Sequence, residues 1–292
     1  MGTKLLHIGL PKCGSKYLQS TIFPEIEKEK NIRRISMSEI FNVNFDDFEN
    51  KTQLKKDLPD NFIISHEGLF SEGMEFSKIS KSFNKLKKVF SNDTIILLVI
   101  RNPYEFLNSI YTQEIQHSFN IIKPEEFFYN EKNSVTRKYG KYNLYGFDYN
   151  FLISLYKSYF KKVIVVKLEY LNKLSFLKEI FNLNDSFLEY LKQNKNKIEN
   201  RSISKTGVKT FIFLNKFIDL KKNQNFIKSH IRKPTNKILH KIRNKILSQF
   251  YLEGFFRFKF DKLFPYKKYH INKDHIPIDI NKMIEDYNNM KF

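Results

Sequence analysis

The sequence of 292 residues predicts an α/β fold: a three-layer sandwich around a mainly parallel sheet, with a strand–phosphate-loop–helix near the N-terminus. Apolar runs of strand length alternate with longer segments of helical period, which is typical of parallel α/β sheets. Two of those runs, TIILLVI and KVIVVKL, are almost continuous β-branched residues and leucines, as strands covered on both faces require. Hydrophobic residues form 41% of the chain and include 30 Phe and 16 Tyr, which is ample for a core.

The alternation of strands and helices can be followed over the first 220 residues. Strands are predicted at Lys4–Gly9, Asn61–Ser65, Thr94–Ile100 and Lys162–Leu168. Helices are predicted at Ser15–Lys30 (with Pro24 kinking or ending it), Phe76–Phe90, Tyr104–His117, Phe147–Phe160 and Lys205–Lys221. Clear strands are absent from the later sequence. We therefore expect residues 1–220 to form the α/β domain and residues 221–292 a basic helical extension packed on it.

The charge of the chain is strongly positive and unevenly distributed. There are 51 Lys and Arg against 31 Asp and Glu, a formal net charge of +20, and Lys221–Lys268 carries 14 of those cations with only two acidic residues. This segment is either a solvated helical face or a docking surface for an acidic glycan, an anionic membrane or nucleic acid. Arginine is scarce and no zinc-finger or RNA-recognition motif is visible, so specific nucleic-acid binding is not expected.

The expected cellular location follows from one cysteine and the lack of long apolar runs. A single cysteine, Cys13, excludes a disulfide framework and a cysteine-based zinc site, which favours a reducing compartment. No apolar run approaches the roughly 20 residues of a membrane span, and the first residues lack the apolar core of a signal peptide. We expect a cytoplasmic protein whose basic extension is a candidate for peripheral contact with the inner membrane face.

The most informative segment is KLLHIGLPKCGSKYLQ, residues 4–19, which reads as a strand, a loop framed by glycines and a helix. The backbone N–H groups of such a loop and the positive end of the helix dipole converge on one point that suits an anion, and Lys12 adds a full charge. Gly9 and Gly14 have the spacing of a Walker A loop, but Ser-Lys stands where that loop has Lys followed by Ser or Thr. The Mg²⁺-binding hydroxyl is therefore missing from its usual place. An ordinary strand–turn–helix with two glycines is the alternative interpretation.

The same residues resemble the 5′-phosphosulfate loop of sulfotransferases that use 3′-phosphoadenosine 5′-phosphosulfate (PAPS) as the sulfuryl donor. Family members read close to H-x-G-x-P-K-[TS]-G-[TS]-[ST]-x-L-Q, and this chain departs from that pattern at Cys13 and Lys16. The resemblance implies a metal-independent transfer that releases adenosine 3′,5′-bisphosphate. It also implies donor contacts from Lys12, Cys13, Gly14, Ser15, Lys16 and Tyr17.

Cys13 has two interpretations. A thiol at a helix N-terminus beside lysines should have a lowered pKa and could be reactive. Alternatively, the cysteine is a small residue that replaces threonine, which is the simpler interpretation.

A second motif resembles the 3′-phosphate site of the same family. In LLVIRNPYEFLNSIY, residues 97–111, Arg101 at the carboxyl end of a strand can grip a phosphate bidentately, and Ser109 on the next helix can donate a hydroxyl. An arginine that caps or salt-bridges its own helix is the alternative. Further along, ENRSISKTGVKTFIFLN resembles a loop and helix that many bacterial members place over the nucleotide, with Arg201 and Ser202 as candidate ligands. The resemblance spans about residues 4–215.

Sulfuryl transfer needs a base for the acceptor proton, an aligned donor and a cation for the leaving phosphate. Lys12 is the candidate for the leaving phosphate. Glu67 is the first candidate base and His66 the second, because both directly follow a predicted strand at the edge where α/β sheets bind ligands. Adjacent residues of an extended chain face opposite ways, so only one of the two is expected to reach the acceptor. A base elsewhere, such as Glu114 or His117, is a further alternative.

The function implied by the resemblance is transfer of a sulfuryl group to a hydroxyl or amine, with a glycan or lipid-linked sugar as the expected acceptor. Two functions of other kinds stay open. One is a P-loop small-molecule kinase that uses ATP and Mg²⁺, although the Gly-Ser-Lys order argues against it. The other is a non-catalytic basic adaptor that binds a polyanion or a membrane.

Overall fold

The computed structural model describes residues 2–36, 39, 58–71, 75–117, 122–132, 141–193, 204–210, 212 and 266–291. The chain divides into two compact units. The first comprises Met1–Phe106, Phe128–Ile198 and Ile276–Phe292, and the second comprises Leu107–Phe127 and Glu199–His275. The predicted domain boundary at residue 220 lies outside the described residues, so it stays a prediction.

A five-stranded parallel sheet forms the centre of the first unit. In chain order, the strands of this unit are β1 (Lys4–Ile8), β2 (Arg33–Ile35), β3 (Phe62–His66), β4 (Ile95–Ile100), β5 (Phe128–Tyr129), β6 (Tyr142–Asn143) and β7 (Lys162–Lys167). The main sheet has the order β2-β3-β1-β4-β7, and β5 pairs with β6 separately. All neighbouring strands of the main sheet run parallel and helices cover both of its faces. The α/β fold class predicted from the sequence is therefore confirmed.

The helices follow the predicted alternation. In the first unit they are Ser15–Tyr17, Phe23–Lys30, Ile79–Val89, Tyr149–Lys157, Phe176–Phe181, Asp185–Gln193 and Ile280–Asn289, with 3₁₀-helices at Glu67–Leu69, Phe76–Lys78 and Leu168–Lys173. The helix Pro103–His117 begins in the first unit and ends in the second. The second unit also contains the helix Pro124–Phe127, helical residues 205–210 and a 3₁₀-helix at Lys273–His275.

Four strands were predicted within one or two residues because their apolar runs are buried. In β4, every side chain after Ile95 is buried, as expected for a central strand with helices on both faces. The fifth strand, β2, was not predicted. It has three residues, two of them exposed arginines, and it becomes a strand only by pairing Arg33 with Phe62 of β3 at the sheet edge.

The first helical segment contains a π-turn directly before the α-helical turn that holds Pro24. Regular α-helix at Ser15–Tyr17 gives way to a π-turn at Leu18–Ile22, and α-helix resumes at Phe23–Lys30. Pro24 lacks an N–H and would clash with the carbonyl four residues earlier in an unbroken α-helix, and the wider turn relieves both problems. The segment ends at Asn31, which has φ 50°.

Candidate functional site

The connections of the sheet reverse between β1 and β4, which predicts a ligand crevice there. From β1 the chain crosses to β2 and β3 on one side, whereas β4 and β7 lie on the other side. The carboxyl end of such a reversal point is where open α/β sheets bind ligands. Ile8, the last residue of β1, pairs with His66 of β3 and Leu98 of β4, so the loop after Ile8 begins at the centre of this edge.

The loop that leaves β1 has an unusual backbone conformation at two positions. Lys12 has φ 61°, which is uncommon for a residue with a side chain, and Gly14 has φ 82°. Between them, the Cys13 N–H donates to the Leu10 carbonyl at 3.3 Å, and the Gly14 carbonyl accepts from the Tyr17 N–H at 3.0 Å to start the helix. The chain therefore turns tightly from strand to helix, as the predicted phosphate loop requires.

Both glycines of the loop sit where a side chain would clash. A Cβ on Gly9 would lie 2.7 Å from Ser15 Oγ and 3.3 Å from Glu67 Cγ. A Cβ on Gly14 would lie 2.6 Å from Leu171 Cδ2. Ser15 is buried, and its Oγ has no hydrogen-bond partner within the part of the chain that the structure describes. A buried hydroxyl without a partner at the base of the loop is consistent with a ligand that supplies an acceptor oxygen.

Arg101 joins the carboxyl end of β4 to the loop. Its Nη1 donates to the Lys12 carbonyl at 3.3 Å, which supports the left-handed turn at that residue. Its Nη2 lies 3.5 Å from Glu105 Oε2, so the ion pair with its own helix, the alternative considered from the sequence, is also present. The Arg101 carbonyl accepts a hydrogen bond from Tyr149 Oη at 2.9 Å. The half-buried guanidinium of Arg101 is thus held beside the loop, and the Tyr149 hydroxyl holds the Arg101 backbone carbonyl.

Glu67 and His66 have different environments although they are adjacent. His66 caps the 3₁₀-helix Glu67–Leu69, since its Nδ1 accepts from the Gly68 N–H at 3.0 Å, and burial lowers the pKa of its imidazole. Glu67 packs against Gly9, and burial raises the pKa of its carboxyl while the charge of Lys12 lowers it. Glu67 therefore lies within electrostatic reach of Lys12 in the loop after β1.

Cys13 is completely buried, and its environment identifies the simpler of the two interpretations. Burial raises the pKa of its thiol to about 12, with Arg101 lowering it and Glu67 raising it. A thiol with this pKa is almost entirely protonated at neutral pH, so it is a poor nucleophile. Arg101 and Glu67 both lie beside this loop, since Arg101 donates to the Lys12 carbonyl and Glu67 packs against Gly9.

Three polar residues under the loop form a network that the sequence analysis missed. His7 Nδ1 lies 2.6 Å from Ser65 Oγ, and Gln19 Nε2 donates to Ser65 Oγ at 3.0 Å and to the Ser65 carbonyl at 3.2 Å. The network ties β1, β3 and the first helix together directly below the loop and Glu67. Burial lowers the pKa of His7 to about 3, so its ring is neutral. His7 and Gln19 are both in the first motif, but the pairing with Ser65 depends on strand register.

The remaining predicted site residues fall into three groups. Lys16 is exposed on the first helical turn, and Tyr17 is half-buried, with a buried hydroxyl that has no partner among the described residues. Ser109 is buried on the helix Pro103–His117 and belongs, with Glu114 and His117, to the second unit. Arg201 and Ser202 lie outside the described residues. Their roles stay predictions.

Two further properties of the described residues concern metal binding and membrane spanning. Within these residues, no group of three or more His, Cys, Asp or Glu side chains could hold a metal ion. Of the helices described, none is long and apolar enough to cross a membrane.

Comparisons with known proteins give one structural similarity. No family model matches the sequence, and no match is found among curated proteins. Among solved structures, the chain is similar to a sulfotransferase from Alicyclobacillus acidocaldarius with 12% sequence identity and a TM-score of 0.43. The similarity covers 68% of this chain and 87% of that one. A functional assignment for this chain must therefore come from its own residues.

We expect Gly14→Ala to destabilise the protein more than Gly146→Ala. Both glycines have positive φ, which costs an alanine about 1–2 kcal/mol. A Cβ on Gly146 would meet nothing closer than 3.4 Å, whereas one on Gly14 must also displace the buried Leu171 side chain. Urea denaturation of both variants measures the difference. Equal losses of unfolding free energy would show that the loop does not pack against Leu171 in this way.

Proposed function

We propose that this protein is a sulfotransferase that moves a sulfuryl group from PAPS to a hydroxyl or amine of an acceptor. The observation that carries the proposal is the hydrogen bond between Arg101 and the Lys12 carbonyl. It joins the two segments that resemble the 5′-phosphosulfate and 3′-phosphate sites, although 89 residues separate them in the chain. Two independent motifs that meet at the ligand edge of an α/β sheet support one nucleotide site.

The residues of the crevice fit the two anionic ends of such a donor. The loop Gly9–Gly14 and Lys12 would hold the 5′-phosphosulfate, where Ser15 Oγ is a buried hydroxyl that lacks a partner among the described residues. Arg101 would bind the 3′-phosphate through the guanidinium that already lies beside the loop. In this arrangement, one end of the donor is fixed by backbone N–H groups and the other by a planar cation.

The proposed transfer uses Glu67 as the base. Its carboxylate takes the proton from the acceptor hydroxyl, while that oxygen forms a bond to sulfur and the bond from sulfur to the 5′-phosphate oxygen breaks. The bonding electron pair leaves with the phosphate, and Lys12 stabilises the added negative charge there. Because burial raises the pKa of Glu67, its carboxylate is a stronger base than an exposed one. His66 is less suited, because its Nδ1 already accepts from Gly68.

The acceptor class and location belong to the same proposal. We propose a glycan or lipid-linked sugar as the acceptor, on the basis of the family resemblance. The basic segment Lys221–Lys268 would then serve for contact with an acidic glycan or an anionic membrane surface. A single buried cysteine and the lack of any apolar run of membrane-spanning length favour the cytoplasm as the site of action.

Adenosine 3′,5′-bisphosphate should raise the melting temperature of the purified protein by several degrees at saturation. A ligand that binds only the folded state stabilises it by mass action, so no acceptor is needed. Arg101→Ala should abolish most of this shift, because it removes the proposed 3′-phosphate contact. Arg33→Ala, at an exposed arginine paired with Glu39, is the matched control and should keep the shift.

Each other result of this experiment has a definite meaning. A larger shift with ATP and Mg²⁺ than with the bisphosphate would replace the proposal by the kinase. If neither nucleotide shifts the melting temperature, the basic adaptor becomes the better explanation. A full shift in Arg101→Ala would remove Arg101 from the site.

We expect Glu67→Gln to bind the bisphosphate normally but to lose about 10²- to 10⁴-fold in sulfuryl transfer, the range for removal of a general base. The wild-type rate should fall as the pH is lowered through the pKa of Glu67, which lies above its ordinary value of 4.5, because protonation removes the base. The variant should lack this acid limb.

Transfer from ³⁵S-labelled PAPS to a panel of glycans, measured from about pH 4 to pH 9 so that the range begins below the ordinary glutamate pKa, tests this expectation. His66→Gln is the neighbouring control and should keep both the rate and the acid limb. Full activity in Glu67→Gln would place the base elsewhere, and loss of activity in His66→Gln alone would assign it to His66.

A further inference from the structure

The last helix of the chain, Ile280–Asn289, is anchored at the carboxyl end of β7. Lys167, the final residue of that strand, is only 9% exposed. Its Nζ donates to the Asn288 carbonyl at 3.2 Å and lies 4.8 Å from the centre of the Tyr287 ring. A buried ammonium at the last turn of a helix is stabilised by the exposed carbonyls and by the negative end of the helix dipole. The strand that borders Arg101 therefore holds the C-terminal helix.

A second contact fixes the C-terminal helix at Glu169, two residues after Lys167. Tyr287 is buried, and its Oη donates to Glu169 Oε2 at 2.6 Å. A hydrogen bond to a charged group is among the stronger contacts in a protein, and breaking it leaves a buried hydroxyl without a partner. The C-terminal helix is thus fixed to the segment after β7 by an ammonium and by a phenol.

The same segment packs against the phosphate loop. Leu168 and Leu171, in the 3₁₀-helix Leu168–Lys173, lie so near Gly14 that a Cβ there would be 3.1 Å and 2.6 Å from their methyl carbons. Glu169 is between these two leucines in the sequence. Any shift of this short helix therefore changes the packing around Gly14, where the chain turns into the first helix.

A parallel set of contacts leads from the C-terminal helix to the other side of the site. The Tyr287 ring centre lies 6.3 Å from that of Tyr149, and the Tyr149 hydroxyl supports the Arg101 carbonyl. Burial raises the pKa of both tyrosines, and the Cys13 thiol adds to the rise in each. The C-terminal helix therefore contacts the tyrosine that holds the Arg101 backbone.

We infer that the C-terminal helix is a positioning element of the phosphate loop, and that Tyr287 is its positioning residue through Glu169. The identity of the ligand rests on the proposed function, but the control of the loop does not. The donor site is then complete only when the helix Ile280–Asn289 is docked, although no motif of the sequence marks this helix.

The test compares Tyr287→Phe with Tyr190→Phe in the full-length protein. Both variants delete a tyrosine hydroxyl that donates to a glutamate, but Tyr287 is buried whereas Tyr190 is 44% exposed. Three measurements are made: the labelling rate of Cys13 with a thiol reagent, hydrogen exchange along the backbone, and the affinity for adenosine 3′,5′-bisphosphate by calorimetry. Because the chain has one cysteine, labelling reports this loop alone.

Tyr287→Phe should increase the Cys13 labelling rate and the exchange rate of the loop amides about tenfold. The affinity for the bisphosphate should fall by a similar factor. Exchange in β1 and β4 should be unchanged, and Tyr190→Phe should match the wild type throughout. Glu169→Gln, which keeps an acceptor oxygen, should give a smaller change in the same direction.

Wild-type labelling and loop exchange in both Tyr287→Phe and Glu169→Gln would overturn the inference. Equal acceleration in the loop, β1 and β4 would also overturn it, because that pattern indicates a general loss of stability. If Tyr287→Phe does not fold, Glu169→Gln decides by the same measurements. If the wild-type protein does not bind the bisphosphate, the proposed function is refuted. The labelling and exchange rates would still decide the role of the helix.

Discussion

The arrangement of the candidate site depends on one hydrogen bond across the crevice between β1 and β4, from the Arg101 guanidinium to the Lys12 carbonyl. The carbonyl is available to Arg101 because Lys12 adopts a left-handed backbone conformation, which costs energy for a residue with a side chain. The bond offsets part of that cost and at the same time places a guanidinium beside the loop. The same hydrogen bond therefore stabilises the loop conformation and positions the positive charge of Arg101. It can form because β1 and β4 are parallel neighbours, so their carboxyl ends lie side by side.

The contrast between Glu67 and His66 shows how a short helix can decide between neighbouring side chains. Alternation along a strand puts the two on opposite sides, but it does not say which one faces the site. The 3₁₀-helix after β3 determines which one does. The His66 ring caps this helix by accepting from the Gly68 N–H, and Glu67 packs against Gly9. The hydrogen bond that caps this short helix, a requirement unrelated to catalysis, thus decides which side chain lies against Gly9.

Local pattern predicted a large part of the fold, including the tight turn after β1. Continuous apolar runs located β1, β3, β4 and β7, and the spacing of Gly9 and Gly14 located the loop. The edge strand β2 was missed because its pairing with β3 is a tertiary contact with almost no local signal. The Ser65 network and the Tyr287–Glu169 bond were missed for the same reason: 118 residues separate that tyrosine from its partner. The state of Cys13 depends on burial, which its charged sequence neighbours do not reveal.

The buried His7 has a consequence for the conditions in which this fold can persist. Its imidazole stays neutral in the native state down to about pH 3, whereas in an unfolded chain it takes up a proton near pH 6.5. The unfolded state therefore binds the extra proton between these values, so a fall in pH through this range progressively destabilises the native state. The strand beneath the loop thus contains a built-in sensitivity to acid. Acid would therefore destabilise the sheet through His7 whether or not a ligand is bound.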